Sequence, residues 1–195
     1  MIYIFGDSHA NYNFRDLPLP NINLHENSIT MHRIGRDGIL KFNPTYCRPD
    51  SIFIFAYGEI DCRCHVGKQL RLGRVFEDIC KELVDAYIHT INTAIFTFKK
   101  VIICSIVPPI SSQYWNEPSD FPFPMIGDDA ERVKTTERIN TLIKEACASH
   151  GYVFLDIYDY YAEEDKTLRY DLSDKIVHIA NNIYIHNALQ TILDE

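Results

Sequence analysis

Ile2-Tyr3-Ile4-Phe5-Gly6-Asp7-Ser8-His9 is the stretch on which the fold turns. Four apolar residues, two of them β-branched, run without a polar interruption and stop at a glycine. That is the pattern of a strand buried on both faces and closed by a sharp turn. Asp7, Ser8 and His9 follow at once, so a strand here delivers a carboxylate, a hydroxyl and an imidazole to its carboxyl end.

The same grammar recurs along the chain. Residues 51–57 (Ser-Ile-Phe-Ile-Phe-Ala-Tyr) read as a second buried strand closed by Gly58, 101–107 as a third stopped by Pro108-Pro109, and 152–157 as a fourth. A helical pattern over 75–98 puts Ile79, Leu83, Ala86, Tyr87, Thr90 and Ala94 on one face. A second helix starts at Asp128-Asp129 and runs to about His150, where Gly151 closes it. Residues 11–49 read as mostly loop with short elements. Residues 111–127, with the only Trp, read as an irregular rim, 171–178 as a loop, and 179–193 as a terminal helix.

Strands separated by long helices imply right-handed crossovers and a mostly parallel sheet, an α/β architecture. Chemistry in such sheets gathers beyond the carboxyl ends of the strands. The polar clusters fall there: Asp7-Ser8-His9, residues 59–65, and the loop 171–178.

The chain of 195 residues fits one domain, 1–195, and its 46% hydrophobic and 24% charged residues are those of an ordinary globular protein. A formal net charge of −8 argues against nucleic acid as a partner, because that affinity rests on clustered Lys and Arg. There is no signal-peptide pattern at the start and no apolar stretch of bilayer length, so neither secretion nor a membrane partner is expected. The six cysteines (Cys47, Cys62, Cys64, Cys80, Cys104, Cys147) are expected as free thiols in the cytoplasm. Cys62, Cys64 and His65 invite a zinc reading, but no second ligand pair follows at finger-like spacing. No metal or cofactor is expected.

Serine is a weak nucleophile until a base takes its proton, and the base needs a third group to hold its tautomer. Ser8 after a turn glycine supplies the hydroxyl. His178 is the candidate base, with Asp174 four residues earlier as its orienter and Asp171 as a fallback. Glu59 and Asp61 read either as a paired acid and base or as ion-pair partners of Arg63. With Asp7 they are the candidate substrate-binding carboxylates. His186, farther along, reads as structural.

Here the residues reach a family. Phe5-Gly6-Asp7-Ser8-His9 resembles the first block of SGNH (GDSL-type) hydrolases, Gly35 in Ile34-Gly35-Arg36 their second, and Gly58-Glu59-Ile60-Asp61 their third. Asp174 and His178 resemble the family's terminal pair. The resemblance implies a three-layer flavodoxin-like sandwich with a central mostly parallel sheet, and a Ser-His-Asp centre. Its oxyanion hole would use the backbone N–H groups of Ser8 and Gly35.

Two departures stand out. Ile60 occupies the place of the family's oxyanion-binding asparagine, and Arg63 is the candidate substitute donor. Three residues, not two, separate Asp174 from His178, so that Lys175 stands where the family has aspartate. The run 57–63 resembles a variant third block of SGNH-like proteins of polysaccharide modification. The expected substrate is therefore a small or carbohydrate ester, such as an O-acetyl group, with Tyr114 and Trp115 available to stack on a sugar. Three alternatives stay open: an O-acyltransferase with the same centre, a non-catalytic carbohydrate-binding relative, and a calcineurin-like metallophosphoesterase. The last is prompted by Asp7-Ser8-His9-Ala10-Asn11, although the later metal-ligand blocks of that class are missing. Oligomeric state is not legible.

Overall fold

The computed structural model describes residues 1–38, 50–94, 100–115 and 122–194. Five strands, β1 (Ile2–Gly6), β2 (Asn21–Asn23), β3 (Ile52–Ala56), β4 (Lys100–Cys104) and β5 (Val153–Leu155), form one sheet in the order β2-β1-β3-β4-β5. All of its pairings are parallel. The chain winds outward from β1 to β2 and then returns past β1 to build the other half. The crevice of this doubly wound sheet therefore opens between the carboxyl ends of β1 and β3. These two strands run in register from Ile2 opposite Ile52 to Gly6 opposite Ala56.

Side chains alternate across the sheet and feed two cores. Tyr3, Phe5, Phe53, Phe55, Val101 and Ile103 face α2 (Met31–Asp37), α4 (Phe76–Ala94) and α5 (Asp129–His150). Phe5 stacks between Phe53 and Phe55, with ring centroids 5.9 and 5.3 Å away. Ile2, Ile4, Ile54, Ala56, Ile102 and Cys104 face Ala10 and Phe14 at α1 (Ser8–Asn13) and Ile185 and Leu189 of α6 (Ile183–Asp194). Burial on both faces explains why β1 and β3 read as unbroken apolar runs.

Local chemistry sets the helix ends. Asp128 and Glu131 form a reciprocal capping box at the start of α5, and Gly151 ends it in a left-handed conformation, φ 70°. At the start of α2, Thr30 takes the Arg33 N–H. The N–H groups of Met31 and His32 donate to the Asp61 carboxylate, at 2.6 and 3.1 Å. Asp61 opens a π-helical turn, Asp61–His65, that runs into α3 (Val66–Arg71). Its two carboxyl oxygens thus supply acceptors for N–H groups at the start of α2, which have none within the helix.

The segment expected to be mostly loop holds β2 and α2, with 39–49, including Cys47, outside the described residues. Asn-Ile-Asn gives β2 no apolar run, because it is an edge strand. The terminal helix begins at Ile183 rather than at 179. Ile179 bridges Ser173, and the N–H groups of Ala180 and Asn181 donate to the Leu172 carbonyl. The five described cysteines are buried free thiols. No described helix is long and apolar enough to cross a membrane.

Candidate active site

Ser8 is the first residue of α1. Asp7 caps that helix, accepting the His9 N–H at 2.8 Å, so the chain turns from strand to helix within two residues of Gly6. A Cβ on Gly6 would lie 2.3 Å from both Ala10 Cβ and the Ala56 carbonyl oxygen. Only glycine lets α1 rest directly on the sheet and present Ser8 at the crevice.

The loop after β5 brings the other two groups. Ser8 Oγ lies 2.9 Å from His178 Nε2, and His178 Nδ1 lies 2.7 Å from Asp174 Oδ2. An Nδ1–H donated to the carboxylate leaves the Nε2 lone pair facing the serine hydroxyl. Asp174 Oδ1 also accepts the N–H groups of Ile176 and His178, at 2.8 and 3.0 Å. The extra residue in the loop is absorbed by Lys175 in the left-handed region, φ 69°. Lys175 turns its ammonium to the Tyr170 carbonyl at 2.9 Å and over that ring. Asp171 pairs instead with Arg169.

Burial pushes the His178 pKa below the ordinary imidazole value. The Asp174 hydrogen bond opposes this, and the positive His9 reinforces it. Burial alone would raise the pKa of Asp174, but its bonds to the His178 ring and to two backbone N–H groups hold it below the usual carboxylate range. The imidazole is flanked by Tyr12, stacked at 3.9 Å, and by His9 at 4.6 Å, centroid to centroid.

The other candidates fall elsewhere. Gly35 is inside α2, where a helical N–H bonds four residues back along the chain, and a Cβ there would lie 2.7 Å from Ala86 Cβ of α4. That corrects the expectation of an oxyanion donor: Gly35 is a close-packing glycine between helices. Arg63 is buried, with its guanidinium forked onto both oxygens of Glu59 (2.7 and 3.1 Å) and a further N–H on the Phe123 carbonyl. Three of its N–H donors are thus turned to groups of the protein itself, in place of the oxyanion expected for it.

Asp7, Glu59 and Asp61 are each at most 5% exposed and are bonded within the protein. Asp7 is a cap. Glu59, which burial would raise, is held low by Arg63 and His9. Asp61, pushed up to about 7 by burial, caps α2. Ile60, in the asparagine position, is buried. Trp115 packs against the core, whereas Tyr114 is exposed and stacks on Tyr170 at 4.3 Å.

Sequence reasoning missed Tyr12 and the contacts of His9. The signal was present in their spacing, since Tyr12 is one helical turn beyond Ser8. Reading residues 11–49 as mostly loop with short elements hid it.

No protein-family model matches the chain, and no curated protein does. Solved structures do. A protein from Streptococcus pneumonia named for platelet activating factor superposes with a TM-score of 0.73 at 14% identity, covering 98% of this chain and 83% of that one. A GDSL-like lipase from Bacteroides thetaiotaomicron gives 0.61 at 14%, covering 99% and 87%. An aryl esterase from M. smegmatis gives 0.58 at 16%, covering 99% and 97%. At such identities the likeness carries the fold, and the reaction has to be argued from the site.

Proposed function

The chain has the fold of the SGNH/GDSL hydrolases, and on that premise we propose that it is a serine esterase that removes small acyl groups, O-acetyl esters of a carbohydrate foremost. The observation that carries this reading is the continuous relay from Ser8 Oγ through the His178 ring to Asp174, with contacts of 2.9 and 2.7 Å.

In the reaction, His178 Nε2 takes the proton as Ser8 Oγ attacks the acyl carbonyl. Asp174 holds the ring and stabilises the imidazolium. The same proton passes to the departing sugar hydroxyl, which leaves the acyl group on Ser8. Water, deprotonated by His178, then releases the acid and restores the serine. The developing oxyanion is met by the N–H of Ser8, which as the first residue of a helix has no acceptor within that helix. Without the family's asparagine, turnover is expected to be slow to moderate, since one such donor is worth about 10²–10³ in rate.

Support for a sugar is the exposed Tyr114, stacked on Tyr170 just before the loop that bears His178, an aromatic residue of the kind that stacks on a pyranose ring. The test is labelling with a fluorophosphonate probe and peptide mapping, beside acetate release from O-acetylated oligosaccharides. An adduct on Ser8 that disappears in Ser8→Ala, with parallel loss of acetate release, is the expected result. Labelling at another residue, or undiminished turnover by Ser8→Ala, overturns the proposal.

A further inference from the structure

His9 is left unused by the reaction above, yet its side chain is buried and bonded at both ring nitrogens. Nδ1 lies 3.1 Å from Asp7 Oδ1, and Nε2 lies 3.0 Å from the carbonyl oxygen of Val177. Both partners are acceptors. The peptide oxygen has no proton to give, and Asp7 Oδ1 already accepts the His9 backbone N–H. A neutral imidazole carries one N–H and one lone pair, so it satisfies one of these contacts and sets its lone pair against oxygen in the other. An imidazolium donates to both.

The carbonyl that His9 holds belongs to the peptide bond leading into His178. We propose that His9 is a positioning residue: as an imidazolium it straps the segment bearing His178 to the start of the helix bearing Ser8, fixing base against nucleophile. The inference rests on the reading of Ser8 and His178 as nucleophile and base.

The surroundings are consistent with the charge. Asp7 and Glu59 face the ring and favour its charged form. Arg63, which offsets Glu59, and the neighbouring His178 ring act against it. Tyr57 stays a neutral phenol, because burial and the nearby Asp7 and Glu26 push its pKa up. Burial lowers the His9 pKa most strongly of any single cause. Asp7, Glu59 and the Val177 carbonyl together outweigh it, and the pKa is pushed up to about 9.

Two consequences separate this role from simple packing. Above about pH 9 the strap loses a donor, so kcat falls on the alkaline side while KM holds. The cation also depresses the His178 pKa, so removing it moves the acid limb of the rate profile upward.

The direct test needs no variant. In wild-type protein labelled with ¹⁵N-histidine, NMR should show both His9 nitrogens protonated at neutral pH and a titration midpoint near 9. A neutral tautomer at pH 7 overturns the proposal, whatever the enzyme's activity. In kinetics, His9→Gln should lower kcat by about 10- to 100-fold with KM within about twofold, as expected for a misplaced catalytic group. It should also lose the alkaline limb and raise the acid limb. A variant with wild-type kcat and both limbs unmoved overturns it too. If His9→Gln does not fold, the wild-type titration decides alone. Failure of the underlying reading is separately visible, because wild-type Ser8 would then resist the fluorophosphonate while His9 still titrates near 9.

Discussion

The Tyr12 ring lies flat on the imidazole of His178, with centroids 3.9 Å apart and planes 7° from parallel. The guanidinium of Arg15 sits over the same phenol ring, 4.6 Å from its centroid. On the proposed mechanism, the stack covers the base and offers an electron-rich face to the imidazolium formed when Ser8 gives up its proton.

Tyr12→Ala should therefore lower kcat by about 3- to 10-fold, corresponding to an aromatic contact of roughly 0.5–1.5 kcal/mol. Tyr12→Phe keeps the stack and should stay within about twofold of wild type. Steady-state kinetics on a chromogenic acetyl ester checks both.

Asp174 and Asp171 compete in sequence for the same role, but only Asp174 touches the His178 ring. Asp174→Asn should cost about 10⁴ in kcat, because the amide favours the wrong imidazole tautomer. Asp171→Asn breaks only an exposed pair with Arg169 and should leave kcat within about twofold. Equal losses in the two variants would overturn this assignment.

Activity and stability should respond to pH in different windows. A protonated His178 cannot accept the serine proton. Its pKa is lowered by burial and by His9, so kcat/KM should decline only below the ordinary imidazole value of 6.5. For stability, Asp174 and Glu59 have depressed values when folded, so their contribution is present above the unfolded carboxylate pKa and lost as pH falls through the folded one. His9 works in reverse: its contribution is full below 6.5 and lost as pH rises through about 9. Asp61, at about 7 when folded against 3.8, also loses stability as pH climbs between those values. Urea midpoints should peak on the acid side of neutrality and fall towards about pH 9, and His9→Gln should flatten the fall above 6.5.

Gly35→Ala puts a methyl 2.7 Å from Ala86 Cβ and should destabilise the fold by about 1–3 kcal/mol through overpacking of α2 on α4. Adding Ala86→Gly should recover part of that loss, a coupling readable in a double-mutant cycle of chemical denaturation. The rate per folded molecule should not change. A selective loss of kcat would restore Gly35 to the reaction.

Asp61→Ala leaves the Met31 and His32 N–H groups without their buried acceptor. The expected cost is about 1–3 kcal/mol, measured by urea unfolding, with hydrogen exchange accelerated first at residues 31–34.

The parallel core was legible because strands covered on both sides must be apolar throughout, as Ile2-Tyr3-Ile4-Phe5 and Phe53-Ile54-Phe55 are. Helix α5 was legible to the residue at its end, since Gly151 is a local stop. What escaped depends on distant partners. Helix α2 is short and begins on the carboxylate of Asp61, thirty residues away, which no window around Thr30 contains. At the site, Ser8, His178 and Asp174 could be picked out as residue types fitted to one chemistry, and the structure brings them together. The supporting groups could not be picked out in that way. Arg63 and Glu59 are four apart and read as an ion pair, but only coordinates show the fork onto both Glu59 oxygens and the further N–H on the Phe123 carbonyl. Lys175 stood in the expected aspartate position, and only its positive φ explains how Asp174 reaches the ring instead.

The hydroxyl of Ser8 and the imidazole of His178 are 170 residues apart along the chain. A contact that distant forms late, since the sheet that spaces its two ends must already be assembled. On the proposed mechanism, a nascent chain still lacking the segment that bears His178 has a finished β1 and no base for Ser8, and is chemically silent. Recovery of esterase turnover after dilution from denaturant should thus report the docking of the final loop and lag behind the return of far-ultraviolet ellipticity.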